Sequence, residues 1–379
     1  MSSVLAPARL RVPRLLLTGG GTGGHVYPAL SVTEEVEGDR LWVGSTGGRE
    51  EPLVRRAGIA FRGVPTGAVL GRGPVALGRS TVQNVRGVLA AWRLVREYRP
   101  SVVLATGGYV SVPVVLAARL ARVPSAIFLP DVEPGLAVRA LSRIANRVAC
   151  SVETTRRFLP PAKVVPTGYP VRPPLRVWAE RPDGRRAGRA LLGVADDRPL
   201  VLVMGGSTGA RSINQAVWAA LPRLLAVADV LHLAGGHGIA EARAVRDALP
   251  PDDRPHYRPE EYLHDEVGAA LAAADLVVAR AGASTLGELP AFGLPSILVP
   301  GTFAAGHQRH NADHLAGAGA AVRLDDDELR DHLPSTVERL LGDPDRLDAM
   351  RRCARALDRP NAARGIAHLL ADLASGALR

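Results

Sequence analysis

The feature that most restricts the fold of this chain occurs twice. A short apolar run, Arg14–Thr18, ends in GGGTGGH, Gly19–His25, and a helical pattern follows. A second run, Leu200–Met204, ends in GGSTGAR, Gly205–Arg211, again ahead of a helical pattern. The two turns start 186 residues apart (205 − 19), close to half of the 379-residue chain. A strand feeding a helix through a glycine turn is the opening unit of a doubly wound sheet. Two openings imply two domains, and the length is too great for one ordinary core.

The rest of the chain keeps the same alternation. Further strands are predicted at Arg40–Gly44, Val102–Thr106, Ala126–Leu129, Arg147–Cys150 and Val164–Pro166. After the second turn they recur at Val230–Ala234, Leu276–Ala279, Ser296–Pro300 and Ala320–Leu324. Helices are predicted at Val26–Val36, Val85–Tyr98, Val110–Leu120, Arg211–Leu225 and Ala283–Ala291. The fold class is therefore α/β: two Rossmann-like, doubly wound parallel-sheet domains, expected to face each other across a cleft. Ligands in open α/β sheets bind beyond the carboxyl ends of the strands, so the glycine loops would line that cleft. The expected divisions are residues 1–170, a linker at 171–197, and a second domain over 198–354. The linker is rich in Pro, Arg and Gly and lacks apolar periodicity.

Composition bounds the partners. Hydrophobic residues make up 47% and charged residues 22%, enough for a packed core and against disorder. Net charge is +10, and Lys163 is the one lysine among the basic residues. This is either a compositional bias or an attraction to phosphate-bearing ligands and anionic membrane surfaces. With 4% aromatics and no basic-aromatic motif, nucleic acid is not expected as a partner. Cys150 and Cys353 have no metal or redox spacing, which suits a reducing cytoplasm. No run of 18 apolar residues is present, and Leu15–Leu17 is too short for a signal segment.

Five stretches could carry chemistry. In the first turn Gly19, Gly21 and Gly24 satisfy G-x-G-x-x-G. A nicotinamide dinucleotide would need an acidic residue ending the next strand, and Asp39 precedes that strand instead. The backbone N–H groups of such a loop suit an anion, with His25 either capping the helix or acting as an acid–base group. The second turn offers Ser207 and Thr208 at a helix start, as an ordinary turn or a diphosphate cradle. In ARAGASTLGE, Glu288 either closes a capping box with Ser284 or Thr285 or accepts ribose hydroxyls. The polar segment Gly301–Gly319 holds His307, Gln308, His310, Asn311 and His314. His310 and His314 are four apart but lack a third ligand of suitable spacing, so sugar hydroxyls fit better than a metal. Finally, Arg86 and Arg93 flank Val85, Leu89, Trp92 and Val95 in a basic amphipathic helix, a solvated face or a docking surface for anionic headgroups.

Taken in order, TGGGTGGHVYPAL, ATGGYVSVPVVLAA, TGYPVR, VMGGSTGARSIN, ARAGASTLGE and HQRHNADHL resemble one family over residues 14–325. It is the lipid II-forming undecaprenyl-diphospho-muramoylpentapeptide N-acetylglucosaminyltransferases of glycosyltransferase family 28. The resemblance implies the GT-B architecture and inverting transfer of GlcNAc from UDP-GlcNAc to the muramoyl C4 hydroxyl of the undecaprenyl-linked pentapeptide. It implies no cofactor and no metal. The acceptor belongs on the N-terminal domain and UDP-GlcNAc on the C-terminal one, with residues 355–379 packing back on the N-terminal domain. Ser207 would contact the diphosphate, Glu288 the ribose, Arg172 the base and Gln308 the GlcNAc hydroxyls. Thr22, Gly23, Gly24 and Tyr109 would form the acceptor diphosphate side, with His25 the candidate base. Two stretches depart from the family pattern near the donor sugar: Asp131 replaces an asparagine, and His307 replaces the first of two glutamines. The resemblance places the protein peripherally on the cytoplasmic face of the cell membrane. A diacylglycerol glucosyltransferase-type enzyme and a UDP-GlcNAc 2-epimerase-like enzyme remain the alternatives.

Overall fold

Leu15, Leu16 and Leu17 are consecutive and all fully buried, as a strand covered on both faces requires. They lie in a computed structural model that describes residues 8–21, 23–66, 74–206, 209–301 and 306–378, with side chains at 74–82 and 84 excepted. The chain divides into two units. Unit 1 is Met1–Arg172 with Arg359–Arg379, and unit 2 is Pro173–Asp358.

The strands of unit 1 are β1 (Leu10–Thr18), β2 (Val36–Ser45), β3 (Ala60–Val64), β4 (Val102–Ala105), β5 (Ser125–Leu129), β6 (Arg147–Cys150) and β7 (Val164–Pro166). Its helices are α1 (Gly23–Glu34), α2 (Glu51–Arg56), α3 (Pro74–Tyr98), α4 (Ser111–Leu120) and α5 (Leu136–Ser142). The sheet is parallel in the order β3-β2-β1-β4-β5-β6-β7, so the order reverses between β1 and β4.

Unit 2 begins with α6 (Pro173–Glu180) and α7 (Gly184–Leu192). Its strands are β8 (Leu200–Met204), β9 (Asp229–Leu233), β10 (Tyr257–Glu260), β11 (Leu276–Arg280), β12 (Ser296–Val299) and β13 (Ala321–Arg323). Between and after them run α8 (Arg211–Val227), α9 (Ile239–Ala248), α10 (Val267–Ala273), α11 (Thr285–Phe292), α12 (His307–Gly317), α13 (Leu329–Leu341) and α14 (Pro344–Ala356). The order β10-β9-β8-β11-β12-β13 repeats the plan of unit 1, and its reversal falls between β8 and β11. On α8, Ile213, Val217, Leu221 and Leu224 form one buried stripe against this sheet. The last helix, α15 (Ala362–Ser375), belongs to unit 1, packs on α1 and β1, and buries Ile366, Leu370 and Leu373.

Three expectations need correction. β1 starts at Leu10, earlier than expected, because its first residues, LRVPR, pair with β2 only and the arginines and Pro13 break the apolar run. Strands β3 and β10 lie at the sheet edges, where AFRGV and YRPE carry Arg, Gly and Pro that hide a strand pattern. Residues 171–197, read as linker, carry α6 and α7. The buried residues of α7 are Gly184, Gly188, Arg189 and Leu192, a face built on glycine and one buried arginine more than on large apolar side chains.

Candidate functional site

In unit 1 the reversal point brings two glycine turns together. The Gly20 N–H donates to the Gly107 carbonyl at 3.2 Å, joining the loop after β1 to the loop after β4. Gly107 has φ +113°, and a Cβ there would stand 3.0 Å from the His25 ring. The residue must therefore be glycine for the imidazole to lie against it. His25 occupies the first turn of α1, half-buried. Its Nδ1 donates to the Thr106 carbonyl at 2.7 Å. A carbonyl only accepts, so the proton sits on Nδ1 and the lone pair of the neutral ring on Nε2.

Sequence reasoning missed Glu50. Its carboxylate is 1% exposed and accepts from Ser45 N–H at 2.8 Å and Gly21 N–H at 3.4 Å, tying the first glycine turn to the end of β2. The signal is faint: one of two adjacent acidic residues after a glycine pair. Gly23 and Gly24 open α1, and Tyr109 is 46% exposed. Thr22 lies outside the described residues. Asp131 sits half-buried, two residues past β5, and nearby Glu133 is ion-paired with Arg139 at 2.7 Å. Arg172 closes unit 1 with its guanidinium 4.5 Å from the Tyr27 ring centroid, a cation–π contact with α1.

In unit 2 the second glycine turn leads from β8 into α8. Gly209 has φ +80°, and a Cβ there would stand 2.2 Å from the Ala234 carbonyl. Only glycine lets the turn approach the end of β9 so closely. Ser207 and Thr208 lie outside the described residues. Glu288 lies half-buried in the first turn of α11. The capping-box expectation fails on one side: Ser284 forms no side-chain cap bond, and Thr285 Oγ1 donates to the Gly282 carbonyl at 2.6 Å. Gln308 is half-buried in the first turn of α12, and its Oε1 accepts the Gly301 N–H at 2.8 Å. The side-chain NH₂ is then the group left to donate. His307 precedes it, with Nδ1 buried and unbonded among the described residues. Buried Asn311 donates to the Ala281 carbonyl at 3.0 Å, joining α12 to the loop before α11.

A second group absent from the sequence reading is Arg280, the last residue of β11. It bonds Ser212 Oγ at 2.6 Å and Asp326 Oδ1 at 2.7 Å. A charged residue ending the apolar run LVVAR was the available signal. Burial holds His314 below its usual pKa, and among the described residues no cluster of three His, Cys, Asp or Glu could hold a metal.

Comparison with known proteins covers both units. Residues 15–150 match the glycosyltransferase family 28 N-terminal domain, and residues 200–368 match the C-terminal domain of that family. A Roseiflexus protein is 44% identical, over 95% of each chain. It is named UDP-N-acetylglucosamine–N-acetylmuramyl-(pentapeptide) pyrophosphoryl-undecaprenol N-acetylglucosamine transferase. Among solved structures, MurG of Acinetobacter baumannii superposes with a TM-score of 0.74 at 26% identity, covering 94% of this chain and 99% of that one. UDP-GlcNAc 2-epimerase from Neisseria meningitidis, bound to UDP-GlcNAc, gives 0.66 at 12% identity, with the same coverage, a likeness of fold alone.

Proposed function

The chain belongs to glycosyltransferase family 28, and from that premise we propose that it transfers GlcNAc from UDP-GlcNAc to the muramoyl C4 hydroxyl of undecaprenyl-diphospho-muramoyl-pentapeptide. Its paired parallel sheets are of the GT-B class. The observation that carries the reading is the 44% identity, spread over 95% of both chains, to a transferase of that name.

The chemistry is an in-line displacement. The C4 oxygen forms a bond to the anomeric carbon as the bond from that carbon to the diphosphate breaks, and the configuration inverts. The hydroxyl proton passes to His25 Nε2, which the Thr106 bond leaves as the basic nitrogen. The leaving UDP takes the electron pair. Its diphosphate is stabilised by the N–H groups around Gly206 and by the N-terminus of α8, with Ser207 in the same turn. Glu288 receives the ribose hydroxyls, Arg172 serves the base, and the Gln308 NH₂ meets a GlcNAc hydroxyl. By the family resemblance Asp131 and His307 are assigned to the donor sugar, and Gly23, Gly24 and Tyr109 with Thr22 to the acceptor diphosphate. No helix among the described residues is long and apolar enough to cross a membrane. We place the protein on the inner membrane surface through α3 and α4, where Val85, Leu89, Leu116 and Leu120 are exposed.

The test is transfer of labelled GlcNAc from UDP-GlcNAc to the undecaprenyl-linked acceptor, with UDP-glucose in parallel and a reaction without acceptor. Label in the lipid from UDP-GlcNAc alone is expected. Preference for UDP-glucose, or epimerised sugar nucleotide without transfer, would overturn the reading.

A further inference from the structure

We propose that Arg280 is the positioning residue of the donor site, a brace that holds the loops of unit 2 in register for UDP-GlcNAc. The proposal rests on the donor reading above and goes beyond it. Arg280 ends β11, beside the reversal point of the sheet, and its side chain is 14% exposed. One guanidinium nitrogen reaches Asp326 Oδ1 at 2.7 Å and the carbonyls of Pro300 and Val299 at 3.3 and 3.4 Å. The other reaches Ser212 Oγ at 2.6 Å. That hydroxyl donates onward to Asp326 Oδ1 at 2.8 Å, closing a three-membered network.

Each partner belongs to a different connection at the carboxyl edge of the sheet. Ser212 is the second residue of α8, directly after the Gly205–Ala210 turn. Val299 ends β12, and Pro300 follows it on the way to Gln308. Asp326 follows β13. Arg280 itself precedes the loop that leads to Glu288. One side chain therefore fastens the turn proposed for the diphosphate, the start of the segment proposed for the sugar, and the strand leading to the ribose contact.

The residue type fits a brace. A planar fork can hold several acceptors at fixed angles, whereas an ammonium offers a point charge on a flexible stem. Asp326 neutralises the guanidinium, so the group serves as a fixed support and not as a free charge for phosphate. Displacement of a bound substrate by an ångström is enough to lower turnover strongly.

The experiment begins with UDP binding to the wild-type protein by calorimetry. Arg280→Lys, Ser212→Ala and Asp326→Asn are then compared for UDP affinity, for KM of UDP-GlcNAc and of the lipid acceptor, and for unfolding midpoint. Arg280→Lys is expected to raise the UDP-GlcNAc KM by roughly tenfold to a hundredfold, weaken UDP binding and leave the acceptor KM unchanged. Ser212→Ala and Asp326→Asn should act in the same direction by less. Unchanged donor KM and UDP affinity in a folded Arg280→Lys protein would overturn the proposal. So would a parallel loss of both substrates with a lowered unfolding midpoint, the mark of a merely structural residue. If wild type binds UDP without transferring GlcNAc, the function proposed above fails, and the UDP affinities of the variants still decide the role of Arg280. If wild type does not bind UDP, the donor site and its brace fall together.

Discussion

One hydrogen bond decides what His25 can do. With Nδ1–H committed to the Thr106 carbonyl at 2.7 Å, the ring is oriented and Nε2 is the nitrogen that can take a proton. Replacing His25 by Ala should therefore lower turnover by about 10²–10⁴-fold, the usual worth of a positioned base. UDP affinity should persist, because the groups proposed for the diphosphate and the ribose lie in unit 2 and His25 is not among the proposed donor contacts. Calorimetry and turnover on the same preparation check this, and near-normal turnover would remove His25 from the base role. A second histidine is purely structural. His232 is fully buried, with Nδ1 2.9 Å from Tyr257 Oη and Nε2 3.1 Å from Asn214 Oδ1. Burial pushes its pKa from 6.5 down to about 4. Between those values the unfolded chain binds the extra proton, so stability rises with pH across the window. The contribution is whole above pH 6.5 and is lost as pH falls toward 4, a change of roughly 3 kcal/mol. Urea midpoints at pH 7 and pH 5 should differ, and the difference should shrink in His232→Gln. An equal pH difference in both proteins would refute this account. The glycine turns, and His25, Glu288 and Gln308 as candidates, can be picked out of the sequence because local pattern marks them. Arg280 and Glu50 cannot. Ser212 and Asp326 lie 68 and 46 residues from Arg280, and the glycine turn that Glu50 ties down, at Gly21, lies 29 residues from it.

At the level of elements, legibility followed burial. Strands flanked on both sides by other strands, such as β4 (VVLA) and β12 (SILV), are buried at every position and read as apolar runs. The edge strands β3 and β10 did not, although the opposite edges β7 and β13 were marked by short apolar runs, and neither did α7, whose packing is built from backbone. A Cβ on Gly188 would stand 2.4 Å from the Ala269 carbonyl of α10. Two effects oppose each other in Gly188→Ala. Helix propensity favours alanine by about 1 kcal/mol. Forcing α7 away from α10 costs about 1–3 kcal/mol, and here the clash is with backbone, which cannot rotate aside. Net destabilisation of about 1–2 kcal/mol is expected. Urea unfolding measures it directly, and an unchanged or raised midpoint would show that α7 can shift without loss. The same substitution at Gly193 meets no neighbour within 4 Å, but there φ is +62°, so any loss would be backbone strain alone.

For the whole molecule, the charge of +10 and the surface of unit 1 together determine how it would meet a membrane. Val85 and Leu89, 56% and 52% exposed, lie one turn apart on α3, and Leu120, 67% exposed, lies on α4, which packs against it. Arg86, Arg93 and Arg119 are exposed on the same two helices. Apolar insertion and basic attraction are separable. Each arginine near an anionic surface contributes about 1 kcal/mol, and burying a leucine contributes about 1.5–3 kcal/mol. Screening removes the first contribution, since the Debye length shrinks from about 10 Å at 0.1 M salt to about 3 Å at 1 M. Co-sedimentation with vesicles of equal parts phosphatidylglycerol and phosphatidylcholine should therefore fall steeply with salt. Vesicles of phosphatidylcholine alone should retain little protein at any salt. Leu89→Glu with Leu120→Glu should weaken binding at low salt by at least tenfold, because two insertions are lost and two negative charges face an anionic surface. Turnover of a short-chain, water-soluble acceptor should be untouched by the pair, whereas turnover of vesicle-borne acceptor should fall with binding. Binding that ignores salt, or that survives both substitutions, would mean that another surface of the protein meets the lipid.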